Sequence, residues 1–157
     1  MKVHMQCSTS SIVWLLLATA VCSCSAAEQD ASVEFLSQPM IARRTAILEY
    51  SPEEQVKLYL KAMIEKHPPD LALANALASN GSKIVPALLE RLVEDGSDVA
   101  KMHLIDVFVR MQDLGYYAVV DDNHTMKILE QQASAIKDPQ WKRKSSDLVE
   151  RIQARKQ

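Results

Sequence analysis

Ser97-Asp-Val-Ala-Lys-Met-His-Leu-Ile-Asp-Val-Phe-Val-Arg-Met-Gln-Asp-Leu-Gly115 is the stretch that decides the fold. It opens on a hydroxyl that can cap a helix and closes on a residue that tolerates a left-handed turn. Between these marks Ala100, Leu104, Val107, Phe108 and Met111 recur at intervals of three and four. That spacing puts one apolar stripe on one face of a helix.

The same grammar continues outward in both directions. Ser51-Pro52-Glu53-Glu54 forms a capping box with Pro at the first helical position, ahead of Val56, Tyr59, Leu60 and Met63. Val85, Leu88, Leu89 and Leu92 follow Ser82, a further N-cap candidate, and Pro86 falls in a first turn where its missing donor costs little. Leu73 and Leu77 mark a helix over 71–79, with Asp70 of His67-Pro68-Pro69-Asp70 as its cap. Asp138-Pro139 leads into Trp141, Ser145, Leu148 and Ile152, and Met126, Leu129, Ala133 and Ile136 form a weaker stripe over 122–137. A short helix fits 40–49. Gly81, Gly96 and Gly115 each follow an apolar segment, where a left-handed C-cap would sit. The only β-like run, Tyr116 to Val120, is too short to make a sheet. The prediction is an all-α fold of about six helices in antiparallel hairpins, either a helical solenoid or a small bundle.

Composition agrees. The chain has 157 residues, 48% apolar and 5% aromatic, with 18 basic against 20 acidic side chains. One domain fits that length, and the balance is that of a folded protein. A net charge of −2 leaves no footprint for nucleic acid.

Cys7, Cys22 and Cys24 all lie in the first 24 residues, so the body has no thiol for a disulfide, nucleophile or metal site. Lys2 and His4 precede the apolar run Ile12-Val-Trp-Leu-Leu-Leu-Ala-Thr-Ala-Val21, and small residues follow. A run of about ten residues is short for a membrane span of roughly 20. The pattern is that of an export signal over 1–27. Ser25-Ala26-Ala27 suits cleavage after Ala27. Val21-Cys22-Ser23-Cys24 resembles the lipobox of bacterial lipoproteins, which implies cleavage before Cys24 and a lipid on that residue. Cys22 departs from the usual residue at its position, and Ser25 in that family favours the outer membrane. The domain reading is an export signal at 1–27, a tether at 28–39 and one helical domain at 40–157.

Two sets of marks repeat with a period near forty residues. Ile47-Leu48-Glu49, Leu88-Leu89-Glu90 and Ile128-Leu129-Glu130 form one, and Leu60-Lys61, Ala100-Lys101 and Trp141-Lys142 the other. Ile84-Val-Pro-Ala-Leu-Leu-Glu-Arg-Leu92 resembles the second helix of a HEAT-type repeat. Asp138-Pro-Gln-Trp-Lys142, with Ser145 and Val149, resembles a first helix. The resemblance spans about 40–157 and implies a stacked α-solenoid. The usual small residue at the helix crossing is replaced by Leu104.

Chemistry is sparse. There is no H-E-x-x-H, no G-x-S-x-G and no phosphate loop, so neither a cofactor nor a metal is expected. His103 and Asp106 stand three apart, in position for an oriented base or for an ion pair. Asp121-Asp122-Asn123-His124 is the densest polar cluster, and it reads most simply as an N-cap rather than a metal site.

Charge is uneven. Residues 28–136 carry 10 positive and 17 negative side chains, net −7, whereas 137–157 carry 7 and 3, net +4. Lys142, Arg143 and Lys144 lead that basic segment, suited to solvent, to an acidic partner or to anionic headgroups. Loop aromatics are candidate binding residues, so Tyr116, Tyr117, Asp121, Asp122, Lys142, Arg143 and Lys144 form the candidate partner surface.

The functional expectation is an exported, lipid-anchored, non-enzymatic interaction module of the cell envelope, periplasmic or held at the outer membrane. It would bind an envelope protein and no nucleic acid. The alternatives are a periplasmic immunity or inhibitor protein that blocks an enzyme, a carrier of a small molecule or lipid, and an enzyme using His103 or His124 with a carboxylate.

Overall fold

The computed structural model describes residues 31–156. The export segment and the lipidation residue Cys24 lie outside the described residues. The chain divides into two units, Met1–Ser37 and Gln38–Gln157. In the first, residues 31–37 are helical and Phe35 and Leu36 are buried, so part of the segment read as a tether is helix.

The second unit is all-α, with no strand among the described residues. Its helices are α1 (Met40–Ala46), α2 (Pro52–Glu65), α3 (Leu73–Ala78), α4 (Val85–Glu94), α5 (Asp98–Asp113), α6 (Asn123–Ala135) and α7 (Pro139–Gln153). Short 3₁₀ turns sit at Ile47–Glu49, Gly81–Ile84, Val119–Asp121 and Ala154–Lys156.

Caps define most of the starts. Ser51 Oγ accepts from Glu54 N–H, Ser97 Oγ from Ala100 N–H, and Asp138 from Gln140 and Trp141 N–H. Each removes a donor that the first helical turn would otherwise leave unpaired. Three sequence expectations fail at turns. Ser82 caps nothing, because the chain enters α4 through a 3₁₀ turn and Ile84 occupies the N-cap. Gly96 is not left-handed, whereas Gly81 and Gly115 are, with φ of +60° and +74°. Asp70 caps the turn ahead of α3 through Ala72 N–H, and the helix itself begins later, at Leu73. The β-like run after Tyr116 is a loop and a 3₁₀ turn.

The packing order is regular. Each helix lies against the one two places away: α1 on α3, α3 on α5, α5 on α7, and likewise α2 on α4 and α4 on α6. The odd helices form one layer and the even helices a second, with successive helices bridging the layers. Three-residue connections at 95–97 and 136–138 force those successive helices to run antiparallel. The core takes in most of the stripe residues read above, but Leu89, Trp141 and Leu148 are only partly buried, and Leu58, Met102, Ile105 and Val109, outside the stripes, are buried as well. Val56, Leu77, Leu88, Leu104, Phe108, Leu129 and Ile152 are all buried.

The last two hairpins match each other at a shift of 41 residues. The caps Ser97 and Asp138 correspond, and so do the buried pairs Leu104 with Ser145, Phe108 with Val149, Met111 with Ile152 and Leu88 with Leu129. The first copies of the sequence marks are not equivalent to the later ones. Ile47–Glu49 is a 3₁₀ turn, and Leu60 lies in the even layer, while Ala100 and Trp141 lie in the odd layer.

Candidate functional site

The connection from α5 to α6 is short, aromatic and firmly held. Gly115 turns the chain out of α5, and Tyr116 N–H and Tyr117 N–H both donate to the carbonyl of Met111, at 3.0 and 3.3 Å. Gln112 Oε1 accepts from Val120 N–H, and Val119 and Val120 are buried beneath the loop. From the other side the Gly81 turn presses on the loop. A Cβ at Gly81 would stand 2.9 Å from the Tyr116 carbonyl oxygen, so the close approach needs glycine there.

Asp122 organises the end of this connection. It accepts from the Tyr117 hydroxyl at 2.6 Å, the Thr125 hydroxyl at 2.6 Å, and the backbone N–H of His124 and Thr125. Those donors, the Thr125 hydroxyl first and the Tyr117 hydroxyl next, hold its carboxyl down at about 2. The Tyr117 phenol is pushed up, by burial first and then by the same carboxylate. Tyr117 and Asp122 are therefore committed to the fold. Tyr116 remains 48% exposed, and Asp121 is exposed at the end of the 3₁₀ turn that follows.

The structure does not bring the basic candidates to this site. Lys137 and Asp138 N–H donate to Asp98 Oδ2, which ties the start of α7 to the start of α5. Arg151 and Arg155 clasp Asp113, the latter at 3.1 Å, which ties the end of α7 to the end of α5. Asp98 and Asp113 are fifteen residues apart, about 22 Å along a helix. Lys142, Arg143 and Lys144 lie near the first end, and Tyr116 lies beyond the second. Three consecutive helical residues also fan apart by about 100° each, so they present no single face. They sit in the N-terminal half of α7, where the helix dipole does not favour cations; only Arg151 and Arg155 occupy the C-terminal turns. Lys144 instead stacks its Nζ 5.6 Å from the Trp141 ring centroid.

His103 and Asp106 do not form a pair. Asp106 lies 3.5 Å from Arg110, while His103 meets the Tyr59 ring edge-on at 6.5 Å. Burial first, then Lys144, lowers the imidazole pKa, and Asp106 opposes them. His124 is exposed at the start of α6. Among the described residues, no three or more His, Cys, Asp or Glu side chains are grouped to hold a metal ion. Among the same residues no helix is long and apolar enough to cross a membrane.

Several groups escaped the sequence reading because nothing local marks them. Arg44 grips the buried Asp70 through two bonds, at 2.9 and 2.8 Å, across 26 residues. Gln55 is buried, accepts from Asn80 and donates to the Tyr50 carbonyl. Tyr59 donates to the His103 carbonyl from the opposite layer. A groove of roughly 220 Å³ between α2 and α4 is lined by Glu53, Val56, Lys57, Ala87, Glu90, Arg91 and Glu94, so its rim is charged. No protein-family model, curated protein or solved structure matches the chain.

Proposed function

We propose that this chain is an exported, non-enzymatic interaction module of the cell envelope, anchored by a lipid on Cys24, with a HEAT-like stack of helices presenting a binding edge to another protein. The observation that carries the reading is the state of Tyr116. A large amphipathic side chain stands half exposed on a loop whose backbone is pinned on both sides. Pinning lowers the ordering cost of binding, which is what makes a rigid aromatic an effective anchor. Asp121, exposed five residues further along the same connection, supplies a charged rim. The basic run at 142–144 belongs to a separate surface and has no part in this edge.

The test is capture of envelope partners by the purified chain, with the intact mass of its N-terminus measured in parallel. Tyr116→Ala should keep the helical spectrum and melting point of the parent and lose the captured partner. Capture that survives Tyr116→Ala would refute the binding edge. A mass lacking a diacylglycerol on Cys24 would refute the anchor independently.

A further inference from the structure

We propose that the groove between α2 and α4 receives an arginine side chain from a partner peptide, its stem on Val56 and Ala87 and its guanidinium among Glu53, Glu90 and Glu94. The groove holds roughly 220 Å³ and draws its walls from two neighbouring helices of the even layer. Val56 and Ala87 are buried and form its floor, while the three glutamates are exposed and form its rim. A small-molecule site takes about 300–1,000 Å³, so this volume suits one long side chain better than a whole ligand. The groove shares no residue with the Tyr116 edge and stands whether or not that edge binds.

The charge at the rim is unbalanced. Its two cations are answered by acids outside the lining: Lys57 lies 3.9 Å from Glu54, and Arg91 lies 2.9 Å from Asp95. Glu53, Glu90 and Glu94 make no ion pair or side-chain hydrogen bond among the described residues. With Glu54 and Asp95 they outnumber Lys57 and Arg91 and leave a local charge of −3. The fold itself does not call for the acids on α4. Glu90 and Glu94 stand four apart, a spacing at which like charges repel, and Glu94 is the last residue of the helix, where the dipole disfavours an anion. A cation held between them removes both penalties. Glu53 differs, because the first turn of α2 suits an acid.

The spacing of the carboxylates selects the kind of cation. Among the described residues no three His, Cys, Asp or Glu side chains are grouped to hold a metal ion, so the glutamates line the groove without converging on a point. A guanidinium is broad and planar, carries five N–H donors and is weakly hydrated, so it can donate to carboxylates on both walls at once. Its methylene stem buries on an apolar floor while the charged head stays at the rim. A lysine has a similar stem but ends in a compact, strongly hydrated charge. Val93, 55% exposed and three residues beyond Glu90, offers an apolar contact to the residue next to that arginine.

The probe is a short fluorescein-labelled peptide with a central arginine flanked by alanine and leucine, titrated with the full-length chain and read by fluorescence anisotropy. Its twin carries citrulline, which keeps the shape and loses the charge. The arginine peptide should bind about tenfold more tightly than its twin, and the difference should shrink as salt rises. Glu90→Gln and Glu94→Gln, both at exposed positions, should each weaken binding about threefold and together about tenfold. Both should melt no lower than the parent, since each removes a repulsion. Glu65→Gln makes the same change in net charge outside the groove and should leave the affinity in place. Equal affinity for the two peptides, unchanged binding in the double variant, or an equal loss in Glu65→Gln would overturn the proposal. So would a lower melting point in Glu90→Gln or Glu94→Gln, which would make those acids part of the fold. Release of the peptide by calcium at constant ionic strength would give the carboxylates to a metal ion instead. Self-association in sedimentation that the double variant loses would give the groove to the basic α7 of a second copy, and either result overturns the peptide.

Discussion

Replacing Asp122 by alanine should cost about 3 kcal/mol, even though the residue is a surface acid in a loop. The figure is built from its four bonds. Loss of the N-cap on α6 contributes about 1 kcal/mol. The Tyr117 and Thr125 hydroxyls each donate to the carboxylate at 2.6 Å. Bonds to a charged acceptor are worth about 1.5–3 kcal/mol each when dry, and partial exposure reduces them to about 1 kcal/mol apiece. Thr125 is fully buried, so its hydroxyl has no water to turn to. For a unit of about 120 residues this lowers the melting temperature by about 10–12 °C. Urea denaturation followed by circular dichroism measures it.

The pH dependence gives an independent check. A carboxyl held at about 2 in the folded state and near 4 when unfolded stabilises the fold at and above pH 5. That contribution is lost as pH falls from about 4 toward 2. Asp122→Asn keeps the cap oxygen but not the charge, so it should cost about half as much as alanine at pH 7, and its deficit should close by pH 2. An alanine penalty under about 0.5 kcal/mol would refute the reasoning. So would an Asn deficit that is the same at pH 6 and pH 2.5, because the structure gives the charge a specific role.

Two further outcomes test the turns and the ion pair of Arg44 with Asp70. Gly81→Ala should destabilise by about 2 kcal/mol or more, since a left-handed alanine alone costs about 1–2 kcal/mol and its Cβ meets the Tyr116 carbonyl; Gly96→Ala, with open space around it, should be neutral or stabilising by up to about 1 kcal/mol in the same urea experiment. Arg44→Met should lower the melting temperature by leaving the buried Asp70 carboxylate without its cation; thermal melts showing no loss would mean that water replaces the guanidinium.

The positions where sequence reasoning missed share a cause. Ser82 reads as a cap only if a helix begins there, and the 3₁₀ turn that displaces the start is imposed by packing of Ile84 into the core. Gly96 and Gly81 look alike along the chain. They differ because Gly81 is pressed against the Tyr116 loop some 35 residues away, and Gly96 faces open space. Asp122 and Asp121 read as one acidic cluster, yet the helix that starts between them and Thr125 takes the first into the fold and leaves the second in solvent. The run Lys142-Arg143-Lys144 is contiguous in sequence and dispersed in space, because a helix turns by about 100° per residue.

The amino-acid sequence by itself determined the helices. Their stripes, their caps at Ser51, Ser97 and Asp138, and the all-α class follow from interactions within a few residues, where periodicity and hydrogen-bond capacity are local. Tertiary structure alone decided what those helices leave for use. The layering of odd and even helices, the bridge from Arg44 to Asp70, the edge-on contact of His103 with Tyr59 and the exposure of Tyr116 depend on groups far apart in the chain. Burial and desolvation are properties of the packed assembly of neighbours, and no single segment carries them.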